Sequence, residues 1–238
     1  TVPDYYARFL ARFADVRALA AAPLDEVLAL WSGLGYYARA RNLHRTAQIV
    51  VSEHGGAFPR SAAQLQALPG IGRSTAAAIA AFCHDERTPI LDGNVKRVLC
   101  RVFGIEGWPG ERQVENRLWT LAAELLPTAG EMPCYTQAQM DFGATLCTRS
   151  RPRCTSCPLV QDCVAQRTGR TGELPTPRPR RERPHRRIEL ALICHASRIL
   201  LVRRPPLGLW GGLWSLPEAN TLPAAMKSVP PTELRAEA

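Results

Sequence analysis

The sequence predicts a mainly helical protein followed by a small α/β piece, and three observations carry that expectation. Apolar residues recur at helical spacing almost without interruption as far as residue 166. An Arg- and Pro-rich stretch then breaks the pattern, and beyond it short apolar runs replace the helical ones. With 238 residues, 46% of them hydrophobic, the chain can fill one large core or two modest ones. It contains no apolar run of membrane-spanning length and no signal-like N-terminus, so membrane and export classes are not expected.

Taken in order, the first helical set is Tyr5, Tyr6, Phe9, Leu10 and Phe13, the second Leu24, Val27, Leu28 and Trp31. A third, Leu43, Ala47, Val50 and Val51, stops at Gly55-Gly56. Further helices are predicted over Ser61 to Leu68, Arg73 to Cys83, Gly93 to Phe103, Glu111 to Leu126 and Pro133 to Leu146, and no stretch here alternates like a strand. The formal charge of +9 suggests a polyanionic partner, but eight arginines and two glutamates between Gln166 and Arg187 hold six of those charges. With Pro175, Pro177, Pro179 and Pro184 in the same stretch, 168–187 reads as an extended, self-repelling linker, with contact to a nucleic-acid backbone as an added role. Ile188 to His195 and Ile199 to Arg203 flank Ala196-Ser197 as a hairpin. Two strands do not hold alone. A second domain cut short is therefore expected, and the opening at Thr1 and the trailing 221–238 suggest a fragment.

Cys147, Cys154, Cys157 and Cys163 are spaced Cys-x6-Cys-x2-Cys-x5-Cys. Four thiolates close the coordination of a [4Fe-4S] cube, while a four-thiolate zinc site usually shows two Cys-x2-Cys pairs and here only one is present. Spacing favours the cluster and leaves zinc open. Cys83, Cys100, Cys134 and Cys194 stand singly and are expected as buried free thiols. Thiols at metal spacing point to a reducing compartment, most simply a bacterial cytoplasm.

Leu68-Pro69-Gly70-Ile71-Gly72-Arg73-Ser74-Thr75-Ala76 joins two helices through a turn with glycines two apart. Gly70 and Gly72 allow unusual torsions and close approach, and the amides opening the next helix make an anion site. A DNA phosphate suits it, with a monovalent cation shared by the turn's carbonyls and Arg73 alongside. Alone, such a turn is equally a steric requirement of a helix pair.

The hairpin, Leu91-Asp92-Gly93-Asn94-Val95 and the cysteine spacing together resemble the helix-hairpin-helix DNA glycosylases that carry an iron-sulfur cluster. Within them, Gly33-Leu34-Gly35-Tyr36-Tyr37-Ala38-Arg39-Ala40-Arg41-Asn42-Leu43 and Gly208-Leu209-Trp210-Gly211-Gly212-Leu213-Trp214 resemble the MutY family of adenine DNA glycosylases. The resemblance covers nearly the whole chain. It implies a helical barrel subdomain with the hairpin over 1–86, lacking its first helix. It further implies an iron-sulfur helical subdomain over 87–167, the linker over 168–187 and a partial Nudix-like domain over 188–238. The implied cofactor is [4Fe-4S], and the implied partner is double-stranded DNA with adenine opposite 8-oxoguanine or guanine, met by a monomer.

Excising adenine leaves positive charge on the sugar and negative charge on the departing base. By resemblance Asp92 is the carboxylate beside C1′ and Asn94 a supporting hydrogen-bonding residue, although an aspartate before Val95 is also an ordinary helix N-cap. The family's general-acid glutamate lies on a helix before the segment matched by Thr1 onward, and Glu26 and Glu53 match nothing catalytic. These 238 residues are expected to be inactive or severely slowed. In endonuclease III-type relatives the position of Ser74 is a lysine that forms a Schiff base. Serine forms no imine and Arg73 stays protonated, so a monofunctional enzyme is implied, with a glycosylase/lyase or an inactive DNA-binding iron-sulfur module as alternatives. Tyr36, with Leu34, matches the family's wedge beside the damaged guanine, the other reading being core aromatics at Tyr36 and Tyr37. Arg39 and Arg41 would meet phosphates, the other reading being that they simply face water. Gly212-x5-Glu218 opens like a Nudix box, but Met226 stands where its arginine belongs, which argues against a pyrophosphatase. Trp210 and Trp214 are expected in the core.

Overall fold

The computed structural model describes residues 2–128, 130–180, 185–205, 208 and 210–222. They divide into two compact units. The first holds the described residues up to Leu30 and from Arg41 to Arg180, the second Trp31–Ala40 and the described residues from 185 onward.

Ten α-helices are present among the described residues: α1 Val2–Arg12, α2 Val16–Ala21, α3 Leu24–Trp31, α4 Tyr37–Glu53, α5 Ala62–Gln66, α6 Arg73–His84, α7 Gly93–Val102, α8 Arg112–Glu124, α9 Met132–Asp141 and α10 Val164–Arg167. A π-helical turn, Phe142–Leu146, continues α9, and Cys154–Ser156 forms one 3₁₀ turn. No described helix is long and apolar enough to cross a membrane. The longer helices lie where the periodicity placed them. Helices α2 and α10, six and four residues long, show too few repeats for a period to register.

Side-chain caps fix several helix starts. Asp15 accepts from Ala18 N and Ser61 from Gln64 N, each satisfying a backbone donor that the helix leaves open. Asp85 ends α6 in the left-handed region, and its carboxylate accepts from Gly130 N and Met132 N at the start of α9. Helix α6 owes its central place to alanine. Ala76 and Ala80 pack with Val50, Leu65 and Leu68, while Ala77 joins Ile90, Leu91, Val95, Leu99, Cys100, Ile105 and Leu118. Small side chains on both faces let neighbouring helices approach closely.

The Arg/Pro-rich stretch departs from the expected spacer over its first half. Leu174 is buried, its carbonyl accepts from Arg101 Nε at 2.8 Å, and Thr176 Oγ1 accepts from Gly107 N at 3.2 Å. Buried apolar contact and a charged donor outweigh the self-repulsion of the surrounding arginines here.

In the second unit β1 Cys194–His195 pairs antiparallel with β2 Arg198–Ile199 across Ala196-Ser197, the expected hairpin with shorter strands. A second pair, β3 Val202–Arg203 with β4 Trp214–Ser215, and a bridge between Leu190 and Glu218 were not expected. Trp210 and Trp214 are about half exposed, not core, because these two-residue strands offer no face broad enough to bury an indole. Of the four single cysteines only Cys100 is buried; Cys83, Cys134 and Cys194 are exposed. Cys83 lies in the last turn of α6, beyond the buried alanines that end at Ala81. Met226 lies outside the described residues.

Candidate active site

The first unit contains a cleft of about 810 Å³ at the N-terminal end of α7. Asp92 and Asn94 line it, with Arg97, Trp108, Arg149 and Arg178 among the other walls. Asp92 is the N-cap of α7, and its Oδ1 accepts from Val95 N at 2.8 Å. The helix-cap reading of this residue holds: the cap fixes the rotamer, and the positive end of the helix favours a carboxylate at this edge of the cleft.

Ser74, the second residue of α6, accepts from Leu91 N at 3.0 Å. That bond ties the helix following the hairpin to the peptide just before Asp92, so Ser74 positions the carboxylate's backbone. Asn94 Oδ1 accepts from Arg97 Nη2 at 2.8 Å. Arg97 goes on to donate to Gly143 O at 2.6 Å and to Cys147 O at 2.8 Å. Asn94 and Gly143 touch so closely that a Cβ on the glycine would lie 2.6 Å from the asparagine Cβ. Burial lowers the Arg97 pKa, opposed by the Cys147 thiolate, and the guanidinium remains a cation.

The hairpin turn has the geometry its sequence demands. Gly70 takes φ +78°, where a Cβ would meet the Asn42 side chain at 2.7 Å. Pro69 O accepts the Thr46 hydroxyl at 2.9 Å, and Gly72 is the N-cap of α6. Arg73 lies over the Trp119 ring at 3.8 Å from its centroid, a cation–π contact that sequence reasoning missed because the two are 46 residues apart. Arg12 grips Glu26 through two hydrogen bonds of 2.5 and 2.8 Å, in keeping with a structural role for that glutamate.

Within the second unit, Leu34 and Tyr36 sit on a loop bent at Gly33 and Gly35, both at positive φ, and Arg39 lies in the first turn of α4 that follows it. Tyr36 is itself left-handed, with φ 52°, and 79% exposed. The Arg39 guanidinium lies 5.2 Å from its ring centroid. An aromatic held out in a strained backbone conformation is not a core residue, and strain of this kind gathers at functional loops.

Cys147, Cys154, Cys157 and Cys163 line one small cavity, with Phe142, Leu146, Pro152 and Val160 as apolar walls. Arg101, almost fully buried, donates to Cys147 Sγ at 3.4 Å and to the Thr148 carbonyl at 2.7 Å, while Cys163 Sγ donates to Arg101 O at 3.5 Å. The Cys154 pKa is raised by burial and then by the repulsion its thiolate would meet from charge on Cys147, Cys163 and Cys157. Four thiolates crowded this way repel one another, so the donor set suits a cationic soft-metal centre. Among the described residues no three His, Cys, Asp or Glu side chains converge closely enough to hold a single metal ion.

Residues 1–124 match the family model described as HhH-GPD superfamily base excision DNA repair protein. The chain is 36% identical over 221 residues to an adenine DNA glycosylase of Buchnera aphidicola from Schizaphis graminum, covering 93% of this chain and 63% of that protein. To the adenine DNA glycosylase of Mus musculus it is 38% identical over 269 residues, covering 94% of this chain and 52% of the relative. Among solved structures it is similar to a thermostable thymine-DNA glycosylase, with a TM-score of 0.62, 27% identity and coverage of 70% of this chain and 76% of the other. The chain thus spans between about half and just under two thirds of the length of these curated relatives.

Proposed function

The chain belongs to the HhH-GPD superfamily of base excision DNA repair proteins, and we propose that it supplies most of the catalytic region of an adenine DNA glycosylase acting on adenine opposite 8-oxoguanine or guanine in duplex DNA. The observation that carries this reading is Asp92, whose carboxylate is held by a helix cap at the edge of a cleft rich in arginine.

Departure of adenine leaves an oxocarbenium-like sugar, and a pre-oriented carboxylate beside C1′ stabilises it without reorganising. Asn94 and Arg97 brace the start of α7 against the segment leading to Cys147. Ser74 carries no amine for a Schiff base, and its hydroxyl is engaged by Leu91 N. These features favour a monofunctional enzyme that leaves an abasic site over a glycosylase/lyase. Tyr36 on its exposed loop would fill the space left when the adenine turns out of the stack, with Leu34 beside it. The hairpin's Gly70 and Gly72 would admit a phosphate, with a monovalent cation at the turn's carbonyls.

The four cysteines would hold a [4Fe-4S] cluster, which when bound would supply a rigid cross-link from the end of the π-helical turn at Cys147 to Cys163 at the start of α10. Metal analysis of anaerobically purified protein should give about four irons per chain. One zinc per chain would instead support the mononuclear reading. We further propose a subdomain division near residues 86 and 167, a Nudix-like domain over 188–238 and a cytoplasmic monomer.

The test is single-turnover incubation with a duplex holding adenine opposite 8-oxoguanine, each sample split with and without alkali. In a protein of full family length, strand breakage only after alkali is expected; breakage without alkali would indicate a lyase.

A further inference from the structure

One wall of the Asp92 cleft holds none of the residues assigned above to breaking the glycosidic bond. It is built from the loop between α7 and α8 and from the first half of the Arg/Pro-rich stretch. Gly107 takes φ +89°, and its N–H donates to Thr176 Oγ1. Trp108 lies across Gly110 so closely that a Cβ there would stand 2.3 Å from the indole. Arg178 places its guanidinium 5.3 Å from a Trp108 ring centroid. The backbone leading to Arg178 is anchored by buried Leu174, whose carbonyl is clamped by Arg101, and Pro175 and Pro177 remove torsional freedom between anchor and arginine.

The cations of this cleft do different work. Arg97 and Arg101 are spent on carbonyls and the Cys147 sulfur inside the protein. Lys96 is paired with Glu115 at 2.6 Å. Arg149 and Arg178 are exposed and stand on the cleft's rim. An uncharged base needs no such rim, but a phosphodiester does. A guanidinium stacked on an indole keeps its hydrogen-bonding edge turned outward while losing little further freedom on binding.

We infer that Trp108 and Arg178 form a phosphate-gripping pair, in which Arg178 binds the DNA backbone of the strand that presents its nucleotide to Asp92 and Trp108 acts as the positioning residue. The first half of the Arg/Pro-rich stretch then belongs to the DNA-binding surface. This inference rests on the DNA glycosylase reading.

The experiment uses the full chain and a fluorescent duplex with a central, uncleavable abasic-site analogue, titrated at several salt concentrations. Arg178→Ala should weaken binding about tenfold and lower the slope of log Kd against log salt by about 0.9, the share of one phosphate contact. Arg178→Lys should restore the slope but not the full affinity. Trp108→Ala should weaken binding severalfold with the slope kept, and the double variant should be no weaker than Arg178→Ala by more than about twofold. Because Arg178 is exposed, its variants should melt with the parent protein, which guards against a folding artefact. Unchanged affinity and slope in a folded Arg178→Ala protein would overturn the inference alone. Failure of the unaltered chain to bind the duplex would overturn both it and the glycosylase reading.

Discussion

Asp92 does two things with one carboxylate, and the two separate on substitution. Asparagine is as good an N-cap as aspartate. Asp92→Asn should therefore keep the melting temperature within about 2 °C while lowering adenine release by a factor of at least ~10² in a protein of full family length. Single-turnover rates and a thermal melt on the same preparation check both halves. Cys100 offers a second contrast at this scale: burial pushes its thiol up to about 11, so it stays protonated at physiological pH. Alkylation of the native protein at pH 8 should modify Cys83, Cys134 and Cys194 and spare Cys100, as peptide mass spectrometry would reveal. Sequence placed all four in one class. Exposure separated them, because a single cysteine carries no record of which helix face it occupies.

The hairpin between α5 and α6 is the element whose form the sequence stated most completely. Two glycines two residues apart implied a tight turn, and Gly70 at φ +78° against Asn42 is that turn. Gly70→Ala combines a left-handed alanine with a 2.7 Å contact, a loss of roughly 1–3 kcal/mol. Chemical denaturation should register that loss, and the same variant should bind duplexes less tightly whichever base stands opposite the lesion. Helix α7 is the contrary case. Its boundaries followed from periodicity, yet the use of Arg97 and Arg101 as internal clamps did not. Lysine and arginine on a predicted helix read as a solvated face until the partner carbonyls are known, and those lie 46 to 73 residues away.

For the first unit as a whole, residues 172–178 act as a strap that ties α7 at Arg101 to the loop at Gly107. Its anchor is Leu174, 2% exposed. Leu174→Ala should cost about 2–5 kcal/mol, a fall of several degrees in the unit's melting temperature by calorimetry. If the strap were only a solvated spacer, the melt would not move.

By itself the sequence determined the mainly helical class, most helix positions, the hairpin turn, the spacing of the four cysteines and the helix cap at Asp92. Each is written in local spacing: a period of 3.6, glycines at positive φ, thiols within seventeen residues, a cap three residues before its donor. Only the tertiary structure decided that Ser74 holds the peptide before Asp92, that Arg97 links Asn94 to the Cys147 loop, and that half of a charged, proline-rich stretch is a cleft wall. Those outcomes depend on burial and on partners distant in the chain, where net desolvation and packing decide, and no local pattern encodes them.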